Sequence, residues 1–125
     1  MGEVIFTDRE LDIMAVLWER GPSTVTEVRN HLSDRLAYTT VLTILRTLEG
    51  KGHVGHEEEG RAHRYHTLVE RGEAQVSALQ RLTRKLFAGS PEVLLTHLVS
   101  DRDLSENDLQ RIRDMLDHRL EGGNG

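Results

Sequence analysis

The stretch YTTVLTILRTLEGKG, from Tyr38 to Gly52, decides the fold because its two faces differ in chemistry. One face has aliphatic residues at the i, i+3, i+4, i+7 spacing of an amphipathic helix: Val41, Ile44, Leu45 and Leu48. The opposite face, called the threonine face below, is polar: Thr39, Thr40, Thr43, Arg46 and Thr47. Threonine is β-branched and forms helices less readily than Glu, Lys or Gln. We therefore interpret this face as a binding surface.

Composition places the chain among proteins rich in charged helices. It has 125 residues, enough for one compact domain or two small sub-domains, with 37% hydrophobic and 30% charged residues. No apolar run approaches the roughly 20 residues needed to span a bilayer, and the first residues do not resemble a signal peptide. The absence of cysteine excludes disulfides and thiolate metal sites. We expect a cytoplasmic protein without membrane insertion.

The net charge of −5 counts, taken alone, against nucleic-acid binding. The sign reverses locally, because Arg35, Arg46 and Lys51 are opposed only by Glu49 between residues 35 and 51. Lys51 ends the helix, where a positive charge is favourable. A second basic spot lies in GRAHRYH, residues 60–66. Charge therefore favours a local anion-binding surface and not a generally basic one.

Two capping boxes organise the N-terminal third. Thr7 and Glu10 begin the first helix, whose predicted buried residues are Leu11, Met14, Ala15 and Trp18. Gly21-Pro22 ends it. Thr24 and Glu27 repeat the box and begin a short helix that is predicted to end near Asp34.

After Gly52 the sequence pattern changes from the helical repeat to the two-residue repeat of a β-strand. Val54, His56 and Glu58 would share one face of a strand. Glu59-Gly60 is a turn signal, and a second strand is expected between Arg61 and Val69. Two short strands around a glycine predict a β-hairpin.

From Glu70 onward the signals are helical. Helices are expected from about Glu70 to Phe87, from Pro91 to Val99 after Ser90 as N-cap, and after a last N-cap near Ser105. Their apolar stripes need a partner, and a second copy of the chain is the simplest one. The predicted dimerisation residues are Leu79, Leu82, Leu86, Leu94, Leu98, Leu109, Ile112 and Leu116.

This order of elements predicts a mainly α fold with a small β-hairpin wing. Residues 1–69 would form a winged helix-turn-helix DNA-binding domain, and residues 70–125 a helical dimerisation domain with a frayed C-terminal tail. In a helix-turn-helix the second helix lies in the major groove. Threonine suits that place, because its hydroxyl can bond a phosphate or base edge and its methyl can contact the thymine methyl. Arg46 is the one long donor on the face and could pair with guanine.

Three segments resemble the BlaI/MecI/CopY family of bacterial winged-helix repressors, the penicillinase repressor-like proteins. TDRELDIMAVLW is similar to the family's first helix, AYTTVLTILRTLEGKG to its recognition helix and GRAHRYHTLV to its wing. Together they cover most of residues 7–69, and the C-terminal half matches more loosely. The resemblance implies a homodimeric repressor that binds a palindromic operator in double-stranded DNA and blocks transcription of its own operon. The predicted DNA-binding residues are Tyr38, Thr39, Thr40, Thr43, Arg46, Thr47, Arg61 and Arg64, with a solvated strand residue as the alternative for Arg64.

The sequence motifs of the family's known release mechanisms are absent from this chain. In the β-lactam-resistance branch, an antirepressor protease cuts an Asn-Phe bond, whose aligned position here is His97-Leu98. The copper-responsive branch uses a cysteine cluster, and this chain has no cysteine. The inducing signal stays open, with a membrane sensor-protease antirepressor system as one candidate partner.

Two other functions compete with the repressor interpretation. A winged helix can also serve as a protein-interaction module. A metal-responsive repressor could use the hairpin histidines, because imidazole suits zinc, although histidines three apart in a strand point to opposite faces: His53, His56, His63 and His66. We predict neither a cofactor nor a metal. We also predict no enzyme activity, because no nucleophile-base pair, Gly-x-Ser-x-Gly elbow or glycine-rich phosphate loop is present.

Overall fold

The computed structural model describes residues 4–122. The elements follow in the order α1 (Asp8–Arg20), β1 (Ser23–Thr24), α2 (Val25–His31), α3 (Tyr38–Gly50), β2 (Val54–Glu59), β3 (Ala62–Thr67), α4 (Arg71–Leu86), α5 (Pro91–Val99) and α6 (Glu106–Leu120). The chain forms two compact units, one ending at Leu79 and one beginning at Gln80, so their boundary lies within α4. The predicted mainly α fold with a small β wing is confirmed.

Helix α1 begins with the predicted capping box, but its buried face is not the predicted one. The Glu10 N–H donates to Thr7 Oγ1 at 3.1 Å, and the Thr7 N–H donates to Glu10 Oε1 at 2.8 Å. The predicted stripe that began at Leu11 was wrong, because Leu11 and Ala15 are exposed. The buried stripe begins one residue earlier: Glu10, Ile13, Met14 and Leu17. Both stripes have the same helical spacing, and the charge of Glu10 hid the correct one.

Glu10 is buried because its charge is neutralised. Its side chain is only 5% exposed, and Lys51 Nζ donates to Glu10 Oε2 at 2.8 Å and to Oε1 at 3.0 Å. Burial disfavours the carboxylate, but the hydrogen bonds from Lys51 and Thr7 outweigh it and hold the pKa of Glu10 below its ordinary value. The ion pair joins the first turn of α1 to the residue that follows α3.

Helices α2 and α3 form the helix-turn-helix. The second capping box is confirmed, with hydrogen bonds of 2.9 and 3.2 Å between Thr24 and Glu27. Helix α2 ends at His31 and not near Asp34, because Leu32 leaves the helix with extended backbone angles. The apolar face predicted for α3 is confirmed: Val41, Leu45 and Leu48 are fully buried and Ile44 is half-buried.

The β-sheet has three antiparallel strands in the order β1-β3-β2. Strands β2 and β3 form the predicted hairpin, called the wing below, and Gly60 in its turn has the left-handed φ of +62° that glycine tolerates. Strand β1 was not predicted. It has two residues, of which Thr24 is also the N-cap of α2, and it pairs with the strand that carries the buried Tyr65.

The core of the first unit gathers side chains from α1, α2 and α3 and from the sheet. It consists of Ile13, Met14, Leu17, Val25, Val28, Val41, Leu45, Leu48, Val54 and Tyr65. At its edge, Trp18 Nε1 donates to the Val69 carbonyl at 2.8 Å, and the Trp18 ring meets Phe6 edge to face, with centroids 6.2 Å apart. These contacts fix the chain that leads into α4.

Helices α5 and α6 begin at their predicted caps. Ser90 Oγ accepts from the Val93 N–H at 3.2 Å, with Pro91 in the first helical position. Ser105 forms a capping box with Asp108, with both hydrogen bonds at 3.0 Å. Between residues 4 and 122, no helix is long and apolar enough to cross a membrane.

The Glu10–Lys51 pair predicts a stability loss that depends on pH. In Lys51→Ala the buried Glu10 carboxylate loses its cation, and we expect the free energy of unfolding to fall by about 1–3 kcal/mol at pH 7. The pair lowers the pKa of Glu10, so its stabilisation is present above the ordinary pKa of 4.5 and is lost as pH falls through the lowered pKa. The deficit of the variant should therefore shrink in acid.

Urea titrations monitored by Trp18 fluorescence at pH 7 and pH 4 measure this difference. Lys85→Ala, which removes an exposed lysine from α4, is the matched control and should change little at either pH. An equal deficit for Lys51→Ala at both pH values would contradict the assignment.

Candidate nucleic-acid interface

The structure brings the threonine face together on α3 as predicted in sequence. All five of its side chains are exposed, while the buried stripe of the same helix packs into the core. The exposed residues are Thr39, Thr40, Thr43, Arg46 and Thr47. Residues 39–49 span roughly 16 Å at 1.5 Å per residue, long enough for several of their side chains to reach into one DNA groove. The helix therefore presents a continuous polar surface on a rigid support.

The threonine hydroxyls fall into two groups. Thr43 Oγ1 donates to the Thr39 carbonyl at 2.9 Å, and Thr47 Oγ1 donates to the Thr43 carbonyl at 3.0 Å. Within residues 4–122, the side chains of Thr39 and Thr40 make no hydrogen bond. The face thus has unused hydroxyl donors in its first turn and occupied ones farther along.

The start of α3 is open to an anion. Its N-cap is Ala37, which supplies no side-chain hydrogen bond, and its first turn contains no acidic residue. The positive end of the helix dipole and the unpaired N–H groups of a first turn favour a negatively charged group such as phosphate. Tyr38, the first residue of the helix, is 46% exposed, so its hydroxyl is accessible beside this end.

The arginine on α3 and the arginine in the turn of the wing each have an unoccupied guanidinium group among the described residues. Arg46 on α3 is exposed and makes no ion pair or hydrogen bond with any described residue. Arg61 lies beside Gly60 in the turn of the wing, is exposed, and likewise has no such partner between residues 4 and 122. Both cations can therefore reach a ligand without breaking a hydrogen bond or ion pair to a described residue.

Arg64 differs, because all three nitrogens of its guanidinium donate hydrogen bonds. It donates to Glu59 Oε2 at 2.5 Å and Oε1 at 3.1 Å, to Glu27 Oε1 at 2.9 Å and to the Pro22 carbonyl at 3.1 Å. These carboxylates hold the pKa of Arg64 above its ordinary value. The hydrogen bond from Arg64 lowers the pKa of Glu59 in turn. The contacts tie the outer end of the wing to the start of α2.

The acidic run Glu57-Glu58-Glu59 lies on the exposed outer half of β2. The charge of Glu59 is neutralised by Arg64. Glu57 lies opposite Arg64 and Glu58 opposite His63 in the hairpin register. Of the three carboxylates in the run, that of Glu59 has an ion pair among the described residues.

The wing histidines do not form one cluster. His56 Nδ1 lies 2.6 Å from Glu49 Oε2, and its ring stacks on His63 with centroids 4.2 Å apart. His53 contacts the ring of Phe6, and His66 lies over Gly55, where an added Cβ would come within 3.0 Å of the imidazole. Among residues 4–122 no group of three or more His, Asp or Glu side chains is arranged to hold a metal ion.

Comparison with known proteins identifies the family. The sequence pattern of the penicillinase repressor family matches residues 6–118. The chain belongs to this family. It is therefore related to transcriptional repressors and not to enzymes, as the sequence predicts. The transcriptional regulator BlaI of Mycobacterium tuberculosis is 37% identical over an alignment of 122 residues, and the match covers 94% of this chain and 86% of that regulator.

Solved structures agree with the family assignment. The monomeric form of Bacillus licheniformis BlaI, solved in complex with the blaP half-operator, has a TM-score of 0.50 and 27% identity, and the match covers 58% of this chain and 90% of that one. A MarR family protein from Bacillus stearothermophilus has a TM-score of 0.55 at 18% identity, covering 98% of this chain and 78% of that protein, which shows a shared fold. The predicted winged helix-turn-helix fold is confirmed.

Some residues that shape this surface carry no obvious signal in the sequence. Glu10 and Glu27 read as capping residues, yet each also holds a cation from a distant part of the chain, Lys51 and Arg64 respectively. A usable signal exists for Glu10, which shares the spacing of the buried residues Ile13 and Leu17. No comparable local pattern links Glu27 to Arg64, because their pairing depends on the register of the sheet.

The contacts of Arg64 predict a loosened wing in Arg64→Gln. Glu27 and Glu59 would lose their shared cation, so we expect faster amide hydrogen exchange at the tip of the wing, between residues 58 and 63, and no change in α6. Arg61→Gln removes a neighbouring arginine that has no partner among the described residues, and it should leave exchange unaltered. Equal protection of the tip in wild type and Arg64→Gln would contradict the clamp.

Proposed function

We propose that this chain represses transcription as a homodimer that binds a palindromic operator, with the threonine face of each copy in one half-site. As a penicillinase repressor family member it is a DNA-binding transcriptional repressor. The observation that carries the proposal for the site is the exposed threonine face, with the unpaired Arg46, on the second helix of a helix-turn-helix.

The proposed contacts divide by chemistry. Arg46 would pair with guanine, because a guanidinium can donate two hydrogen bonds to its major-groove edge. Tyr38 and the first turn of α3 would bind phosphate, as would Arg61 at the tip of the wing. The sequence groups Arg64 with the DNA contacts, but its ion pairs support a positioning role, in which it holds the wing that carries Arg61.

A second copy of the chain is the proposed cover for the apolar residues of α4–α6. Six of the eight predicted dimerisation residues are exposed in the single chain, up to 70% for Leu86, and Leu94 and Ile112 are half-buried. Burying one such side chain is worth about 1.5–3 kcal/mol. A two-fold dimer would bind half-sites with the same symmetry, about 34 Å apart from centre to centre.

The regulated gene and the release signal rest on the resemblance alone. We propose an operator in the promoter of the chain's own operon. A sensor-protease antirepressor is a further proposal, and the position that aligns with the family's cleavage bond, His97-Leu98, lies inside α5.

The test of the repressor proposal starts from DNA selected out of a random pool by the wild-type chain. The double variant Arg46→Ala, Thr43→Ala should bind this DNA at least tenfold more weakly, because one guanine pair is worth about 1–3 kcal/mol. Fluorescence anisotropy measures affinity, and sedimentation should show an unchanged dimer. Arg102→Ala, which removes an exposed arginine outside α3 and the wing, is the matched control. If no sequence were enriched, a protein-interaction module would be the better interpretation.

The dimer face has its own test. Leu82→Asp with Leu116→Asp places two charges in the proposed interface, and we expect sedimentation to show monomers that bind the selected DNA more weakly. The fluorescence of Trp18 should stay native, because that residue lies in the first unit. Leu11→Asp alters an exposed leucine of α1 and should leave the dimer intact. A persistent dimer in the double variant would place the interface elsewhere.

A further inference from the structure

We propose that Thr43 and Thr47 read the C5-methyl groups of thymines in the operator, and that they do so through their own methyl groups. The inference rests on the proposed function, because it assigns the chemistry by which the threonine face selects a sequence. It begins from the hydrogen bonds that the threonine hydroxyls already donate within α3.

Neither residue has a hydroxyl proton to offer. Each donates its only O–H to a carbonyl four residues earlier, at 2.9 Å for Thr43 and 3.0 Å for Thr47. Phosphate oxygens, and the guanine O6 and N7, adenine N7 and thymine O4 atoms of the major groove, accept hydrogen bonds and do not donate them. These groups therefore cannot bond either hydroxyl unless the intrahelical bond breaks.

Two interactions remain for an occupied threonine. Its oxygen could accept from the amino group of adenine or cytosine, or its methyl could contact the methyl of thymine. Serine would form the same bond to the preceding turn and accept equally well, so an acceptor role does not explain threonine. Only the methyl distinguishes the two residues, and both threonines expose their side chains on the same face of α3.

Thr39 and Thr40 provide an internal contrast. They lie in the first turn of the same helix, are exposed, and make no side-chain hydrogen bond within residues 4–122. Their hydroxyls can donate to phosphate or to a base acceptor. One helix thus carries four exposed threonines with two different chemistries, and only the second pair has no hydroxyl proton left to donate.

The spacing of the pair makes the inference specific. Thr43 and Thr47 are four residues apart, which is about 6 Å along the helix axis. For a helix that lies along the groove, this distance equals about two base-pair steps of 3.4 Å. The half-site should therefore contain two thymine methyls at about that separation.

The test replaces each thymine of the selected half-site by deoxyuridine, which removes only the methyl. We expect binding by the wild-type chain to weaken about fourfold at each of two positions, since about 0.8 kcal/mol per buried carbon corresponds to that factor. Thr43→Ser should lose the same factor on normal DNA and become insensitive to deoxyuridine at one position. Thr43→Val keeps the methyl and should retain affinity.

The contrast with the first turn supplies the control. Thr40→Val removes an unused hydroxyl and should weaken binding, whereas Thr40→Ser should not, and circular dichroism checks that each variant keeps its helix content. Loss of affinity in Thr43→Val, with no effect of deoxyuridine on wild type, would assign recognition to the hydroxyl and overturn the inference. If wild type enriched no DNA sequence at all, the repressor proposal itself would fail, which is a distinguishable result.

Discussion

The ion pair between Glu10 and Lys51 is the interaction on which the arrangement of the first unit depends. It joins the start of α1 to the residue that follows α3, in a place where an unpaired carboxylate would be strongly disfavoured. The Lys51 ammonium therefore already has a partner within the first unit. The buried stripe of α3 then packs on α1, and the threonine face of the same helix is left in solvent. A rigid support for the exposed face is what sequence-specific binding requires, because its side chains must meet base edges in a fixed register.

A second set of ion pairs, from Arg64 to Glu27 and Glu59, holds the wing in place, as the Glu10–Lys51 pair holds α3. The two sets show how a chain with a net charge of −5 can suit a polyanion. Lys51 and Arg64 have partners inside the first unit, and their carboxylate partners are thereby neutralised. Arg46 and Arg61 make no ion pair with described residues and lie on α3 and at the tip of the wing. For binding a polyanion, the positions of the unpaired cations matter more than the net charge of the chain.

The sequence predicts the elements with strong local signals and misses those that depend on distant partners. Both faces of α3, the caps of α1, α2, α5 and α6, and the β2–β3 hairpin follow from spacing and capping chemistry. The buried face predicted for α1 was wrong by one residue. Glu10 occupies a core position because Lys51 neutralises its charge. Strand β1 is too short to show a period of two. Whether a threonine hydroxyl is free or occupied depends on its rotamer, which the spacing of threonines does not specify. The eight dimerisation residues stay a prediction.

The most direct measurement for this account is the affinity of the wild-type chain for its selected DNA across a salt series, with the number of chains per site determined in the same titration. Phosphate contacts release counterions, so log K should fall linearly with log salt, by about 0.9 for each neutralised phosphate. We predict a steep negative slope, two chains per palindromic site, and clear preference over random duplex of equal length. A flat salt response, with equal binding to selected and random DNA, would contradict the assignment of the threonine face to an operator.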